Sequence, residues 1–205
     1  MIAGASTFIA VVITLSPANH APPRAALRYK HDLIRVARYV WGLKAPIAVS
    51  AGQIQQESSW NPNAKSKFAD GLAQFTPQTA KWISGLYHDL KKAQPYNPKW
   101  AMLALVRYDK RLYDQFKGVP DCDRWAFALA SYNGGLGWIH RDQKLTSEKG
   151  GDPNRWWGNV ALHSSRASWA FTENRGYPKR ILKHLQFSYW DWGNGTCKGF
   201  RTANR

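Results

Sequence analysis

The sequence predicts an α+β domain, mostly helical, with one small irregular or β element after the second helix. Three observations lead there. Apolar residues recur at helical spacing in several separate stretches, Pro and Gly punctuate their ends, and the polar segment 61–76 is too irregular for a helix. The chain has 205 residues, with 44% hydrophobic and 20% charged, which is enough for one domain with a real core and is a globular composition.

Residues 1–23 carry no Lys, Arg, Asp or Glu, and the first full charge is Arg24. Within them, 8–15 is an apolar run of signal-peptide length, and Ser16-Pro17-Ala18 offers a small-x-small cleavage pattern. As a helix, residues 1–18 would reach roughly 27 Å, close to the thickness of a bilayer core. A cleaved export signal, a weak membrane anchor and a buried N-terminal helix or tail all stay open. Arg24, Arg28, Lys30 and Arg35 follow directly, and such positive flanks prefer the cytoplasmic side. Ala21-Pro22-Pro23 reads as a stiff linker. The expected organisation is therefore an export or anchor segment over 1–23 and one domain over 24–205.

The first helix is expected over 25–43, with Leu27, Leu33, Ile34, Ala37, Val40 and Trp41 in register and Gly42 closing it. Pro46 suits the first turn of a second helix, whose Ile47, Ala51, Ile54 and Ser58 share a face. Residues 61–76 follow as a loop or small hairpin. Helix returns over 98–117 (Leu105, Tyr108, Leu112, Phe116) and 124–132 (Trp125, Ala128, Leu129, Tyr132), the latter stopped by Gly134-Gly135. A surface loop is expected over 143–159, then helices over 160–172 and 178–190, the second opened by Pro178.

Lys and Arg number 29 against 13 Asp and Glu, a formal charge of +16, and there are 11 Trp, 9 Tyr and 8 Phe. Such a chain suits an anionic polymer or surface: nucleic acid, anionic lipid or acidic cell wall. The cations are dispersed (Lys91-Lys92, Lys110-Arg111, Lys179-Arg180) and no nucleic-acid reading motif is present, so no nucleic-acid partner is expected. Cys122 and Cys197 are too few for a disulfide scaffold and too isolated for a zinc finger. In an exported chain they can form one disulfide, and two inert buried thiols are the equal alternative. The histidines are scattered, so neither a metal nor another cofactor is expected, and a monomer is.

Glu57 closes the second helix, three residues after Ile54, beside the apolar stripe and at the border of the irregular segment. Such a border is a usual edge for a cleft, and partial desolvation there raises a carboxyl pKa. An ordinary Glu of pKa ~4.3 is only about 0.2% protonated at neutral pH. Raised to ~6, about a tenth is protonated, enough for a general acid. Taken alone, Glu57 reads first as a helix-end acid pointing to water, and only its neighbourhood changes that.

Its neighbourhood is more specific. The run Ile54-Gln55-Gln56-Glu57-Ser58-Ser59-Trp60-Asn61-Pro62-Asn63-Ala64-Lys65-Ser66, then Gly71-Leu72-Ala73-Gln74-Phe75-Thr76-Pro77, resembles the lytic transglycosylase family of the goose-lysozyme type. Ala73 stands where that family carries Met. Ala130-Ser131-Tyr132-Asn133-Gly134-Gly135 and Glu173-Asn174-Arg175-Gly176-Tyr177-Pro178-Lys179-Arg180-Ile181 are similar to two later family segments, in the same order. The resemblance implies a lysozyme-like fold with Glu57 as the single catalytic acid/base. It implies Ser66, Gln74, Tyr132 and Asn133 as lining of a saccharide cleft, closed by Glu173 and Tyr177 from the late helix. The implied substrate is the peptidoglycan glycan strand, cut between N-acetylmuramic acid and N-acetylglucosamine with 1,6-anhydro ends.

Two alternatives remain. A lysozyme-type muramidase would hydrolyse the same bond with Asp70 as a second carboxylate, although an Asp before Gly71 is also an ordinary turn residue. A non-catalytic basic wall- or nucleic-acid-binding protein is the remote one. The implied location is the periplasm or cell envelope, with membrane association through residues 1–18, and a phage lysin or virion protein fits equally.

Overall fold

The structure is a computed structural model that describes residues 21–202; the apolar run at 8–15, with the export and anchor alternatives attached to it, lies outside them. Among the described residues no helix is long and apolar enough to cross a membrane.

From Pro23 the chain enters α1 (Arg24–Leu27) and α2 (Lys30–Trp41). The single helix expected over 25–43 is thus two. The chain turns at Arg28 and Tyr29, and the Tyr29 ring lies parallel to Trp60 at 6.0 Å. Leu33 and Ala37 bury the inner face of α2.

Helix α3 (Ile47–Ser58) begins after Pro46, as the sequence predicts, but it is more than one-sided: every position from Ile47 to Ile54 is buried. Its small residues (Ala48, Ser50, Ala51, Gly52) let neighbours approach from all directions. The tightest approach is at Gly52, where a Cβ would stand 2.9 Å from the backbone nitrogen of Gln186. Gln186 belongs to a 3₁₀ helix, Leu185–Trp192, that lies along α3. Two apolar clusters meet at α3. One joins it to α2 and to Met102, Leu105 and Val106; the other joins Val49 to Phe127, Leu129, Ile181 and Leu182.

Helix α3 stops abruptly because Ser59 and Trp60 both take left-handed backbone conformations, φ 50° and 66°. For residues bearing a Cβ this costs roughly 1–2 kcal/mol each. Burial of the Trp60 indole among Tyr29, Tyr189 and Trp192 offsets it, and Trp60 Nε1 donates to the Tyr189 hydroxyl at 2.6 Å. The reversal leaves Glu57 at the helix end. The expected small β element follows as two antiparallel bridges, Lys65 with Asp70 and Asp70 with Phe75, the whole of the β structure among the described residues.

Helix α4 (Pro77–Leu86) opens on Thr76, whose hydroxyl accepts from the Thr79 N–H at 3.1 Å. A 3₁₀ turn at His88–Leu90 precedes α5 (Pro98–Tyr113), which ends four residues before the expected 117. Helix α6 (Asp121–Gly134) exceeds the predicted 124–132 at both ends, and α7 (Leu136–Glu148) follows almost at once. Residues 143–148 are therefore helical, not the start of a surface loop. The inward positions of α7 are Ile139, Asp142 and Thr146, and two polar residues among the three hide the apolar stripe.

The late helices differ most from expectation. Residues 160–162 form only a 3₁₀ turn, and α8 (Ser168–Lys183) runs through Pro178 instead of starting there. Proline inside a helix removes one N–H, here the donor to the Asn174 carbonyl, but does not forbid the helix where packing holds it. The 3₁₀ helix Leu185–Trp192 takes the place of the second predicted helix, and α9 (Gly199–Thr202) closes the described chain. Cys122 and Cys197 are disulfide-bonded, their Cα atoms 4.8 Å apart, joining the start of α6 to the segment before α9.

Candidate active site

A cavity of about 440 Å³ opens where α3, the 61–76 segment, α6 and α8 meet. Of the residues singled out in the sequence, Glu57, Ser66, Gln74, Tyr132, Asn133 and Glu173 all line it. Asp70 and Tyr177 do not.

Glu57 is half-buried at the last turn of α3. Its carboxyl is raised from 4.5 to about 7, first by burial, with the Glu173 carboxylate adding in the same direction. Tyr177 works against both, because its hydroxyl donates to Glu57 Oε1 and favours the charged form. About half of such a group carries its proton at neutral pH, more than the tenth expected from sequence. It can give a proton and take one back under the same conditions.

Tyr177 is therefore placed differently from its expected role of closing the cleft. It is only 2% exposed and sits behind Glu57, its ring parallel to that of Tyr132 at 6.4 Å. Burial raises both phenols well above their usual range, so both remain hydrogen-bond donors. Tyr132 donates to the Ala73 carbonyl at 2.7 Å, which ties α6 to the 61–76 segment. Ala73 is itself 1% exposed, so at the position where the resembled family has Met, it is the backbone that takes part.

The 61–76 wall is held by local bonds. Ser66 Oγ accepts from the Ala69 N–H at 3.0 Å and donates to the Ala69 carbonyl at 3.1 Å, closing the turn that presents it. Gln74, at φ 47°, donates through Nε2 to the carbonyls of Gly71 (2.9 Å) and Ala64 (3.2 Å). Its amide oxygen is left as the group available to a ligand. Gly71 is irreplaceable on two counts. Its φ is 75°, and a Cβ there would stand 1.8 Å from the Pro95 carbonyl oxygen. The Asp70 carboxylate accepts from the Tyr96 hydroxyl at 2.5 Å, away from the cavity, while its backbone makes both β bridges.

The opposite wall is held by residues that the sequence did not single out. Asn174 is buried and donates through Nδ2 to the Ala130 carbonyl at 2.8 Å and to Asn133 Oδ1 at 3.1 Å, orienting the Asn133 amide. Arg175 donates to Asn174 Oδ1, to the carbonyls of Val160, Ala161 and His163, and to Asp142 Oδ2 at 2.8 Å. Asp142 is fully buried and also accepts from Ser164 Oγ at 2.7 Å. Arg180 reaches from α8 to Gln56 Oε1 at 3.0 Å and to Glu173 Oε1 at 3.4 Å. Asn174, Arg175 and Arg180 lie inside the quoted 173–181 run, which was the available signal. Among the described residues no group of three His, Cys, Asp or Glu is arranged to hold a metal ion.

Residues 46–154, just over half of the chain, match the family described as Transglycosylase SLT domain. The chain is 38% identical over 103 residues to a membrane-bound lytic murein transglycosylase F of Ectopseudomonas mendocina (strain ymp), covering 49% of this chain and 20% of that protein. It is 39% identical over 108 residues to the protein of the same name from Shewanella pealeana, covering 52% and 21%. The chain thus spans about a fifth of the length of these curated relatives. Among solved structures it is similar to the 70-kDa soluble lytic transglycosylase of Escherichia coli, with a TM-score of 0.56 and 26% identity over 80% of this chain and 24% of that one. A complex of the 70-kDa soluble lytic transglycosylase with bulgecin A gives a TM-score of 0.57 and 27% identity over 83% of this chain and 26% of that one.

Proposed function

The chain belongs to the family of transglycosylase SLT domains, and on that premise we propose that it cleaves the peptidoglycan glycan strand between N-acetylmuramic acid and N-acetylglucosamine, leaving 1,6-anhydromuramoyl ends. One observation carries this reading. Of the two carboxyls that line the cavity, Glu57 has its proton balanced near neutrality, and its hydrogen-bond partner is the Tyr177 phenol, not the other acid, Glu173.

The reaction needs no other acid or base. Protonated Glu57 donates to the bridging oxygen as the bond from C1 of the muramoyl ring to that oxygen breaks. The N-acetyl oxygen of the same ring supports the positive charge that develops at C1. Ionised Glu57, steadied by the Tyr177 hydroxyl, then takes the proton of the C6 hydroxyl as O6 bonds to C1. The carboxyl ends as it began, protonated, and no water is consumed, which is why the usual carboxylate pair is not required. Ser66, the Gln74 oxygen, Tyr132 and the Asn133 amide would read the hydroxyl and acetamido groups, with Glu173 at the rim.

The setting we propose is the cell envelope. The Cys122–Cys197 disulfide supports an oxidising compartment, and the apolar run at 8–15 supports export or membrane association through residues 1–18. The charge of +16 fits acidic stem peptides and wall polymers, and binding should weaken with salt.

The test is mass spectrometry of the products from purified peptidoglycan, with Glu57→Gln as the control. Anhydromuramoyl ends that vanish in the variant support the reading. Reducing muramic ends would make the enzyme a hydrolase, and products that persist in Glu57→Gln would remove Glu57 from the mechanism.

A further inference from the structure

Behind the cavity, Gln53 of α3 faces Asp109 of α5, and both are 0% exposed. Gln53 Nε2 donates to Asp109 Oδ1 at 3.2 Å. The other oxygen of each side chain, Gln53 Oε1 and Asp109 Oδ2, is buried and meets no hydrogen-bond partner. Leaving a buried polar atom unsatisfied is costly, and leaving a buried charge unpaired costs more. A carboxyl and a primary amide become fully complementary when the carboxyl carries its proton. The amide N–H then meets one oxygen and the acid O–H meets the amide oxygen. A single proton on Oδ2 would supply the donor that Gln53 Oε1 lacks and would remove the charge.

We infer that Asp109 is held as a neutral acid, paired through two hydrogen bonds with Gln53, and that this pair is a positioning element for Glu57. Gln53 and Glu57 are four residues apart on α3, hence on one face. The pair ties α3 to α5 one helical turn below Glu57 and keeps a second negative charge away from it. The surroundings agree. The groups that face Asp109 are Glu57 from α3, Tyr132 from α6, Tyr177 from α8 and Tyr108 from its own helix. None is a cation. From the α2 side Lys110 lies over Trp41, and on the α4 side Arg111 lies over Trp82, so neither is turned to Asp109. Burial, the largest influence, and Glu57 both push the Asp109 carboxyl well above its usual range, against the pull of the Gln53 bond.

The inference rests on Glu57 as the acid/base, and its test separates the two. The variant is Asp109→Asn in the full chain, where the new amide can still pair with Gln53. The first readout is thermal stability against pH, which does not involve catalysis. An acid that keeps its proton to higher pH in the fold than in the unfolded chain stabilises fully below its unfolded pKa. That contribution fades as pH rises towards the folded value. Wild type should therefore lose Tm relative to Asp109→Asn steadily from about pH 4 upwards. A difference that does not change with pH overturns the neutral acid.

The second readout is the alkaline limb of the pH–rate profile for glycan cleavage. A neutral Asp109 leaves that limb within about 0.3 unit in Asp109→Asn; an ionised one would make it fall by about a unit or more as a negative neighbour of Glu57 disappears. If the limb does not report Glu57 at all, the mechanism fails while the Tm comparison still decides the state of Asp109. Should Asp109→Asn not fold, the wild-type infrared spectrum at neutral pH decides it. A carboxylic-acid band that shifts on ¹³C-aspartate labelling supports the neutral acid, and its absence overturns it.

Discussion

The two walls of the cavity are built in opposite ways. The wall from 61 to 76 is stitched by short-range bonds, with Ser66 closing its own turn to Ala69 and Gln74 reaching back to Ala64 and Gly71. The wall made by α6 and α8 is stitched at long range. Tyr177 meets Glu57 120 residues away, Asn174 meets Ala130, and Arg175 gathers Asp142 and three carbonyls of the 160–163 segment. A wall braced mainly by its own neighbours, with Tyr132 as its tie to α6, tolerates the loss of one local bond, whereas a wall held by buried long-range partners loses its alignment with the acid.

Substitutions can break or sharpen that contrast. The largest effect is expected from Arg175→Met, which leaves the buried Asp142 carboxylate only Ser164 Oγ and the more distant Arg166, at 3.8 Å, and frees three carbonyls. Breaking a buried ion pair outright typically costs about 3–5 kcal/mol; with Arg166 still beside Asp142 the lower end is expected, readable in urea unfolding, and cleavage should fall with it. Glu57→Gln should reverse the usual sign of a core change. Glu57 holds its proton up to about pH 7 in the fold, above the ordinary value of 4.5. Its stabilising contribution is complete below the ordinary value and lost as pH rises through about 7. The inactive variant should therefore be the more stable protein at pH 8 and lose that advantage towards pH 4, by calorimetry across that range.

Tyr177→Phe removes the one bond that favours ionised Glu57. The alkaline limb of the pH–rate profile should move up by about one unit, while the rate below it falls. Ser66→Ala is expected to be smallest, under about 1 kcal/mol in stability with a raised KM. If it instead costs as much as Arg175→Met, the contrast between the walls is wrong.

The same contrast explains what could be read in the chain. The local wall and Glu57 were legible because their residues are neighbours in sequence, and the irregular segment announces itself by composition. The helical character was legible wherever the inward face is apolar. It was missed at 143–148, where α7 turns inwards Asp142, which meets Arg175, and Thr146, whose hydroxyl donates back to the Asp142 carbonyl. It was misread at Pro178, whose preference for a first turn gives way to the burial of Tyr177, Ile181 and Leu182 around it. The position of Tyr177 behind the acid was not legible, since it depends on where α8 lies against α3.

The disulfide gives this division a covalent form. Cys122 and Cys197 close a ring that holds α6, α7, α8 and the 3₁₀ helix at 185–192, and with them Tyr132, Asn133, Glu173 and Tyr177. Glu57, Ser66 and Gln74 are outside it. A protease that nicks any loop between 123 and 196 opens the ring without releasing a fragment, so the long-range wall stays tethered to the rest of the molecule through the cut. For an enzyme proposed to work in the envelope, among proteases, such a nick would be survivable until a reductant arrives.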